Sequence, residues 1–295
     1  MPVTSANGIE ICYETHGSPS DPALLLVHGF TAQLTSWDDG FVDSLVDRGL
    51  HVVRMDNRDA GHSTYFDGIE PPVAAVMAAR RDGSTPPEVP YLLTDMAADG
   101  IGLLDSLSIE RAHIAGASMG GMIVQTMAIH HPDRVASLCS IMSHTGDMRH
   151  GRSTKEANAA LLSPPPVERE ANIEAAVANA RIWSTRRHWD EAVQRRRAEI
   201  AYDRAFHPEG AGRQLTAIMA SPDRSDALAS LDMPTLVIHG RDDTLITPSG
   251  GERTAQLVPG AVLLMLNDMG HDLPRPLWPV LADSIAFHIS RAEAR

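Results

Sequence analysis

Gly116-Ala117-Ser118-Met119-Gly120 matches the pattern G-x-S-x-G. A serine hydroxyl is a weak nucleophile unless a neighbouring base takes its proton. The pattern therefore implies chemistry only where its surroundings supply geometry and partners. Here the flanks supply geometry. The apolar run His113-Ile114-Ala115 precedes the serine, and Met122, Ile123, Gln125, Thr126 and Met127 follow in a helix-like run. A strand turning sharply into a helix holds the serine at its apex in strained backbone, and Gly116 and Gly120 stand where side chains would clash. The helix N-terminus favours the negative charge that develops when the serine attacks a carbonyl. A glycine-rich turn that held a serine by chance would lack the partners found further along.

The base is expected at His271. Among 14 histidines it lies in Asn267-Asp268-Met269-Gly270-His271-Asp272, between the last strand-like run and the last helical one. Loops of this kind, at the C-terminal ends of parallel strands, are where open α/β sheets gather their chemistry. The acid that orients the imidazole should fall between serine and histidine in chain order. Thr235-Leu236-Val237-Ile238-His239-Gly240 reads as a strand and a turn, followed by Arg241-Asp242-Asp243. Asp243, three residues past the turn glycine, is preferred. Asp242 is the alternative, and Asp147 is a third candidate. Two backbone N–H groups must meet the oxyanion. They are assigned to Met119, next to the serine, and to Phe30 in the loop His28-Gly29-Phe30, with His28 tying that loop down. Together these groups would carry ester hydrolysis through an acyl-enzyme, with activity falling as pH drops through about 6.5, the ordinary range of an imidazole base.

The elements that must position these groups alternate along the chain. Strand-like runs at 23–28, 50–55, 111–117, 135–142, 235–239 and 262–266 alternate with helical segments at 35–48, 92–107, 119–131, 250–257 and 277–290. Asn7-Gly8 marks an opening hairpin. This order predicts an α/β fold with a mostly parallel sheet covered by helices on both faces. Residues 67–90, with Pro71, Pro72, Pro86, Pro87 and Pro90, are expected to form a mobile surface insert. Residues 144–228 show helical periodicity and no strand signal. They are expected to form a helical cap inserted into a core made of 1–143 and 229–295, and movement of this lid is expected to gate entry.

Composition narrows the function further. Thirty-eight acidic against 25 basic residues leave a formal charge of −13, which disfavours nucleic acid and anionic lipid as partners. Cys12 and Cys139 read as buried free thiols. The amino-terminal run has no basic and apolar leader pattern, so a cytoplasmic protein without membrane insertion is expected. No metal site is read from the sequence. Oligomeric state is not legible.

At this point the chain is seen to resemble the α/β-hydrolase superfamily over essentially its whole length. The resemblance rests on His28-Gly29-Phe30, the run from Asp56 to Ser63, the turn around Ser118, Gly240-Arg241-Asp242-Asp243 and Gly270-His271. Within it the chain is similar to actinobacterial esterases of the aclacinomycin methylesterase group, on Ala117-Ser118-Met119-Gly120-Gly121-Met122 and Gly270-His271-Asp272-Leu273-Pro274. The resemblance implies an eight-stranded sheet, a helical cap, a Ser–Asp–His triad and no cofactor. The chain departs from the family at Asp59, where many members carry glycine, and at Pro248, one residue further past the acid than is common. Small to medium, apolar esters are the expected partners, methyl esters among them, with Trp183, Trp189 and Met142 as candidate substrate contacts. Carbon–carbon bond hydrolysis or perhydrolysis would use the same triad. A binding protein on the same fold would need the pocket without the triad.

Overall fold

The computed structural model describes residues 1–295. Ala23–Val27 offers no polar side chain to water, and it forms a strand covered on both faces at the middle of the sheet. In chain order the strands are β1 (Val3–Ala6), β2 (Ile9–His16), β3 (Ala23–Val27), β4 (His51–Met55), β5 (Ala112–Ala117), β6 (Val135–Ile141), β7 (Thr235–Gly240) and β8 (Val262–Leu266). They make one eight-stranded sheet in the order β1-β2-β4-β3-β5-β6-β7-β8. β1 and β2 pair antiparallel through the Asn7-Gly8 turn, in which both residues take positive φ (51° and 77°) as a tight hairpin requires. β4, β3 and β5 to β8 run parallel.

The helices are α1 (Asp39–Val46), α2 (Val73–Asp82), α3 (Leu93–Ser106), α4 (Met119–His130), α5 (Lys155–Leu162), α6 (Arg169–Trp183), α7 (Glu191–Ala205), α8 (Gly210–Ala220), α9 (Ser225–Leu228), α10 (Ser249–Leu257) and α11 (Trp278–Glu293). The pleat of β3 divides the core in two. Leu24 and Leu26 face Phe41 and Leu45 of α1 and Leu281 and Ile285 of α11. Leu25 and Val27 face Leu93 and Met96 of α3 and Ile123 and Met127 of α4. Truncating any one of these buried leucines to alanine should cost about 2–5 kcal/mol. No helix is long and apolar enough to cross a membrane.

β3 is also where the strand order reverses, with β4 on one side and β5 on the other. Open α/β sheets bind ligands outside the carboxyl ends of the strands at such a point. The loops after β3 and β5, which carry Phe30 and Ser118, open side by side there because Val27 and Gly116 are in register.

One sequence expectation needs correction, and one segment holds an element that was not expected. The single helix expected over 35–48 is a 3-10 turn at Leu34–Ser36 followed by α1, because the Asp38 carboxylate accepts the Gly40 N–H (3.1 Å) and starts a new helix there. The insert at 67–90, where no helix was expected, contains one. Its alanine-rich middle forms α2, which follows Pro71-Pro72 and ends at Gly83 in the left-handed region (φ 75°). α2 buries Val76 and Ala79, and Arg80 donates to the carbonyls of Met219 and Gly146. Between β6 and β7 the chain is helical, α5 to α9, as the missing strand signal implied. Cys12 and Cys139 are buried and unpaired.

Candidate active site

β5 ends at Ala117 and α4 begins at Met119, so Ser118 alone makes the turn. Its backbone angles are φ 57° and ψ −121°, a region that only glycine enters freely and that costs a side-chain-bearing residue on the order of 1–3 kcal/mol. The surroundings hold it there. Ser118 N–H donates to Ile141 O (2.9 Å), and Ser118 O accepts from Ser143 Oγ (2.8 Å) and Met122 N–H (3.2 Å). The glycines are required by close approach. A side chain at Gly116 would collide with the Gly120 backbone, and one at Gly120 with the Val27 carbonyl. The hydroxyl makes no hydrogen bond within the chain, and the residue is half-buried, open to a reactant.

His271 follows β8, and Asp243 follows β7. His271 Nδ1–H donates to Asp243 Oδ2 at 2.7 Å, which leaves Nε2 available as a base. The loop carrying His271 is fixed by the end of α6 and the residues after it, where His271 N–H donates to Trp183 O (2.6 Å) and Asp272 Oδ1 accepts from Thr185 N–H (3.2 Å), and within the loop by Gly270 N–H on the same oxygen (3.1 Å). No hydrogen bond joins His271 to Ser118, and bonds of this kind tighten when a reactant is seated.

The Asp243 side chain is fully buried. Burial pushes its carboxyl up, but the His271 charge and hydrogen bonds from His239 and His271 more than offset this and hold it below the usual carboxylate range. Its Oδ1 accepts two backbone N–H groups, Leu245 and Ile246, both at 2.9 Å. His239 Nε2 donates to Ile246 O (2.7 Å) and lies 3.4 Å from Asp243 Oδ2. The two other candidate acids lie elsewhere. Asp242 is exposed, and the Asp147 carboxylate is spent on His150 and Arg149.

The loop after β3 comes against the serine. A Cβ at Gly29 would sit 2.9 Å from Ser118 Cβ and 3.4 Å from its Oγ, so only glycine lets the loop approach. Among amides 29–32, Gly29 N–H meets His28 Nδ1 (2.7 Å), Thr31 N–H meets Gln214 Oε1 (2.8 Å) and Ala32 N–H meets Gly29 O (3.2 Å). The Phe30 N–H has no acceptor within the chain. Met119 opens α4, and a first-turn amide has no partner in its own helix. His28 is pushed down to about 3, by burial first and then by the charges of His271 and Arg197. It is therefore a neutral strut, whose carbonyl also accepts from Asn57 Nδ2 (2.9 Å).

The three proposed substrate contacts fall in different settings. Met142 is buried in the core cluster with Ile141 and Met269, in the left-handed region (φ 40°). Trp183 is half-buried and meets the His271 loop through its carbonyl. Trp189 is half-buried, with the Arg181 guanidinium 5.4 Å from its ring and its indole N–H buried without a partner.

Sequence reasoning missed Ser143, His239 and Gln214. The only local trace of His239 is a polar residue in an apolar strand. The other two are defined by contacts to residues far away in the chain. The departure at Asp59 also finds its reason. Asp59 keeps the left-handed angle a glycine would take (φ 62°), and its carboxylate binds Arg213 of α8 (2.8 and 2.9 Å) and Tyr91 Oη–H (2.6 Å).

A strained serine at the switch point, a buried carboxylate–imidazole pair on the next loops and a free amide opposite define a hydrolase of the α/β class. The comparison with known families agrees. Residues 22–274 match the family described as alpha/beta hydrolase fold, and the chain belongs to that family. It is 26% identical over 299 residues to a rhodomycin D methylesterase of Streptomyces peucetius, covering 94% of this chain and 93% of that one. It is 28% identical over 275 residues to a 2-hydroxy-6-oxononadienedioate/2-hydroxy-6-oxononatrienedioate hydrolase of Burkholderia vietnamiensis, covering 91% and 87%. Among solved structures, the enol-lactonase of Burkholderia xenovorans superposes with a TM-score of 0.74 at 23% identity, covering 98% of this chain and 100% of that one.

Proposed function

We infer that this chain is a serine-dependent carboxylic ester hydrolase with Ser118, His271 and Asp243 as its triad and the Phe30 and Met119 amides as its oxyanion hole. One observation carries the reading. The Phe30 N–H is unspent in a loop whose neighbouring amides are all engaged, and that loop passes so close to Ser118 that a side chain at Gly29 would collide with it.

The steps balance on these groups. Ser118 Oγ bonds to the ester carbonyl carbon while its proton passes to His271 Nε2, and the oxygen becomes an oxyanion held by the two amides. The tetrahedral adduct collapses, the carbon–oxygen bond to the alcohol breaks, and the alcohol leaves with the proton from His271. Water then attacks the acyl-enzyme, gives its proton to His271, and the acid departs as Ser118 recovers a proton. Asp243 holds the imidazole in the tautomer this requires.

Methyl esters are the favoured substrates, on the likeness to the methylesterase, with the helical block 144–228 acting as a cap domain that selects among them. The likeness to the 2-hydroxy-6-oxononadienedioate hydrolase sustains carbon–carbon bond hydrolysis on the same triad as a second reading. A cytoplasmic location suits the two buried, unpaired thiols.

The test is labelling by a serine-directed fluorophosphonate together with hydrolysis of p-nitrophenyl esters of rising acyl length and of a bulky methyl ester. Labelling and turnover that both vanish in Ser118→Ala are expected. Labelling that persists in that variant would overturn the assignment. Turnover of a vinylogous 1,5-diketone with no ester turnover would favour the second reading.

A further inference from the structure

We propose that Gln214, on the cap helix α8, is a positioning residue for the oxyanion hole, holding in place the loop that presents the Phe30 amide. The proposal rests on the reading of Phe30 as an oxyanion donor.

Gln214 is completely buried. A buried glutamine is stable only when both ends of its amide find partners. Gln214 spends both ends on the core rather than on the cap. Its Oε1 accepts the Thr31 N–H at 2.8 Å, and its Nε2 donates to the Arg58 carbonyl at 2.8 Å. One side chain therefore bridges the loops after β3 and β4.

The Thr31 contact matters because of where Thr31 stands. It takes φ 56°, a left-handed angle that a β-branched residue adopts only under constraint, and it directly follows Phe30. The Gly29 N–H is fixed on one side of Phe30 by His28 Nδ1, and the Thr31 N–H is fixed on the other by Gln214. The intervening Phe30 amide keeps its direction without being consumed. A water or a flexible surface group at Thr31 would leave the loop free to turn, and a misdirected donor loses most of its effect on an oxyanion.

The same loop is held again at its far end. Leu34 N–H donates to Asp56 Oδ1 (2.7 Å), and Asp56 Oδ2 pairs with Arg204 of the cap helix α7 (2.7 Å). Arg204 also donates to Gln33 Oε1 (2.7 Å). Both ends of the loop thus hang on cap side chains. In this arrangement the cap completes the catalytic apparatus in addition to covering it.

The experiment uses the full chain and reads two numbers, kcat for p-nitrophenyl acetate and Ki for phenylboronic acid. The boronate adds to the serine as a tetrahedral anion and so draws on the same oxyanion donors. Gln214→Met keeps shape and removes both hydrogen bonds. It is expected to lower kcat about 10- to 100-fold, short of the roughly 100- to 1,000-fold that follows loss of a whole donor. KM should stay within about three-fold, and Ki should rise in step with the fall in kcat. Gln214→Glu keeps the acceptor for Thr31 and should recover most of kcat and Ki. If Gln214→Met does not fold by circular dichroism, Gln214→Asn, too short to reach Thr31, is read by the same pair of numbers. An unchanged kcat, a fall in kcat at constant Ki, or a Glu variant no better than Met would overturn the proposal. Ser118→Ala separates this from the reading beneath it. If that variant still turns over ester, the site assignment itself fails. If it is dead while Gln214→Met is unimpaired, only the role of Gln214 fails.

Discussion

Asp59 and Arg213 form a bidentate ion pair between the loop after β4 and α8, with Nε and Nη2 of Arg213 at 2.9 and 2.8 Å from the two carboxylate oxygens and both side chains out of solvent. The two residues lie 154 positions apart. Together with Arg204–Asp56 (2.7 Å), the pair pins α7 and α8 to the loop after β4. Arg213, Arg204 and Gln214 thus tie the helical block between β6 and β7 to the loops beside the site.

Breaking the pair on one side should be costly. Asp59→Gly puts at this backbone angle the residue best suited to it but takes from the Arg213 guanidinium its bidentate partner, leaving it Asp67 Oδ1 at 3.5 Å and the Ile69 carbonyl at 3.3 Å. Loss of one partner of a buried pair typically costs about 3–5 kcal/mol. Urea denaturation should show that loss for Asp59→Gly and recovery of most of it in Asp59→Gly/Arg213→Met. A single variant as stable as the parent would show that the pair does not anchor the cap.

The two neighbouring carboxylates should separate cleanly in kinetics. Asp243→Asn leaves the imidazole without its negative partner, and the comparable change in a serine protease triad costs about 10⁴-fold in kcat. Asp242→Asn, altering an exposed side chain, should stay within about two-fold. Equal losses in the two variants would remove the distinction drawn from the 2.7 Å contact.

Strain at the nucleophile should be visible in stability. In Ser118→Gly the backbone enters its observed region without penalty, whereas in Ser118→Ala it does not. Both lack activity under the proposed mechanism. Thermal or urea unfolding should find the glycine variant more stable than the alanine variant by about 1 kcal/mol. The reverse order would contradict the backbone geometry of the turn.

Stability should fall on mild acidification. Burial holds His28 and His144 down at about 3 and His288 at about 4, the nearby charges of His271 and Arg197, of Arg224 and Arg80, and of His113 adding to the effect in turn. In the unfolded chain each imidazole titrates near its ordinary value of about 6.5. Between these limits the unfolded state binds protons that the folded state does not, so stability is full above about 6.5 and declines towards 3–4. Three such protons give a slope of at most about 4 kcal/mol per pH unit. Urea midpoints measured from pH 7.5 to 5 should drop accordingly. A flat profile over that range would mean that these histidines are not buried neutral.

Much of this molecule can be read from short stretches. The run from Ala23 to Val27 is apolar throughout because its strand is covered on both faces, and Asn7-Gly8 forms a hairpin because both residues tolerate positive φ. Gly116 announces its turn because the clash it avoids, with the Gly120 backbone, lies within five residues, whereas the demand at Gly120 comes from the distant Val27 carbonyl. α2 escaped notice because the prolines on both sides outweigh, to a local reading, an alanine-rich helix steadied by the distant Met219 and Gly146 carbonyls.

By itself the sequence determined the order of the sheet's parallel strands and most of its helices, the serine turn, the histidine loop and a short choice of acids, since each depends on neighbours within a few residues and on chain order. The preference for Asp243 over Asp242 gains its geometry only in the tertiary structure, because only the fold turns one carboxylate towards His271 and leaves the other in water. It also decided what stands behind the site. Thr31 and Gln214 lie 183 residues apart, and Arg58 and Gln214 lie 156 apart. A hydrogen bond needs direction as well as proximity, and no local pattern can state where a distant side chain will point.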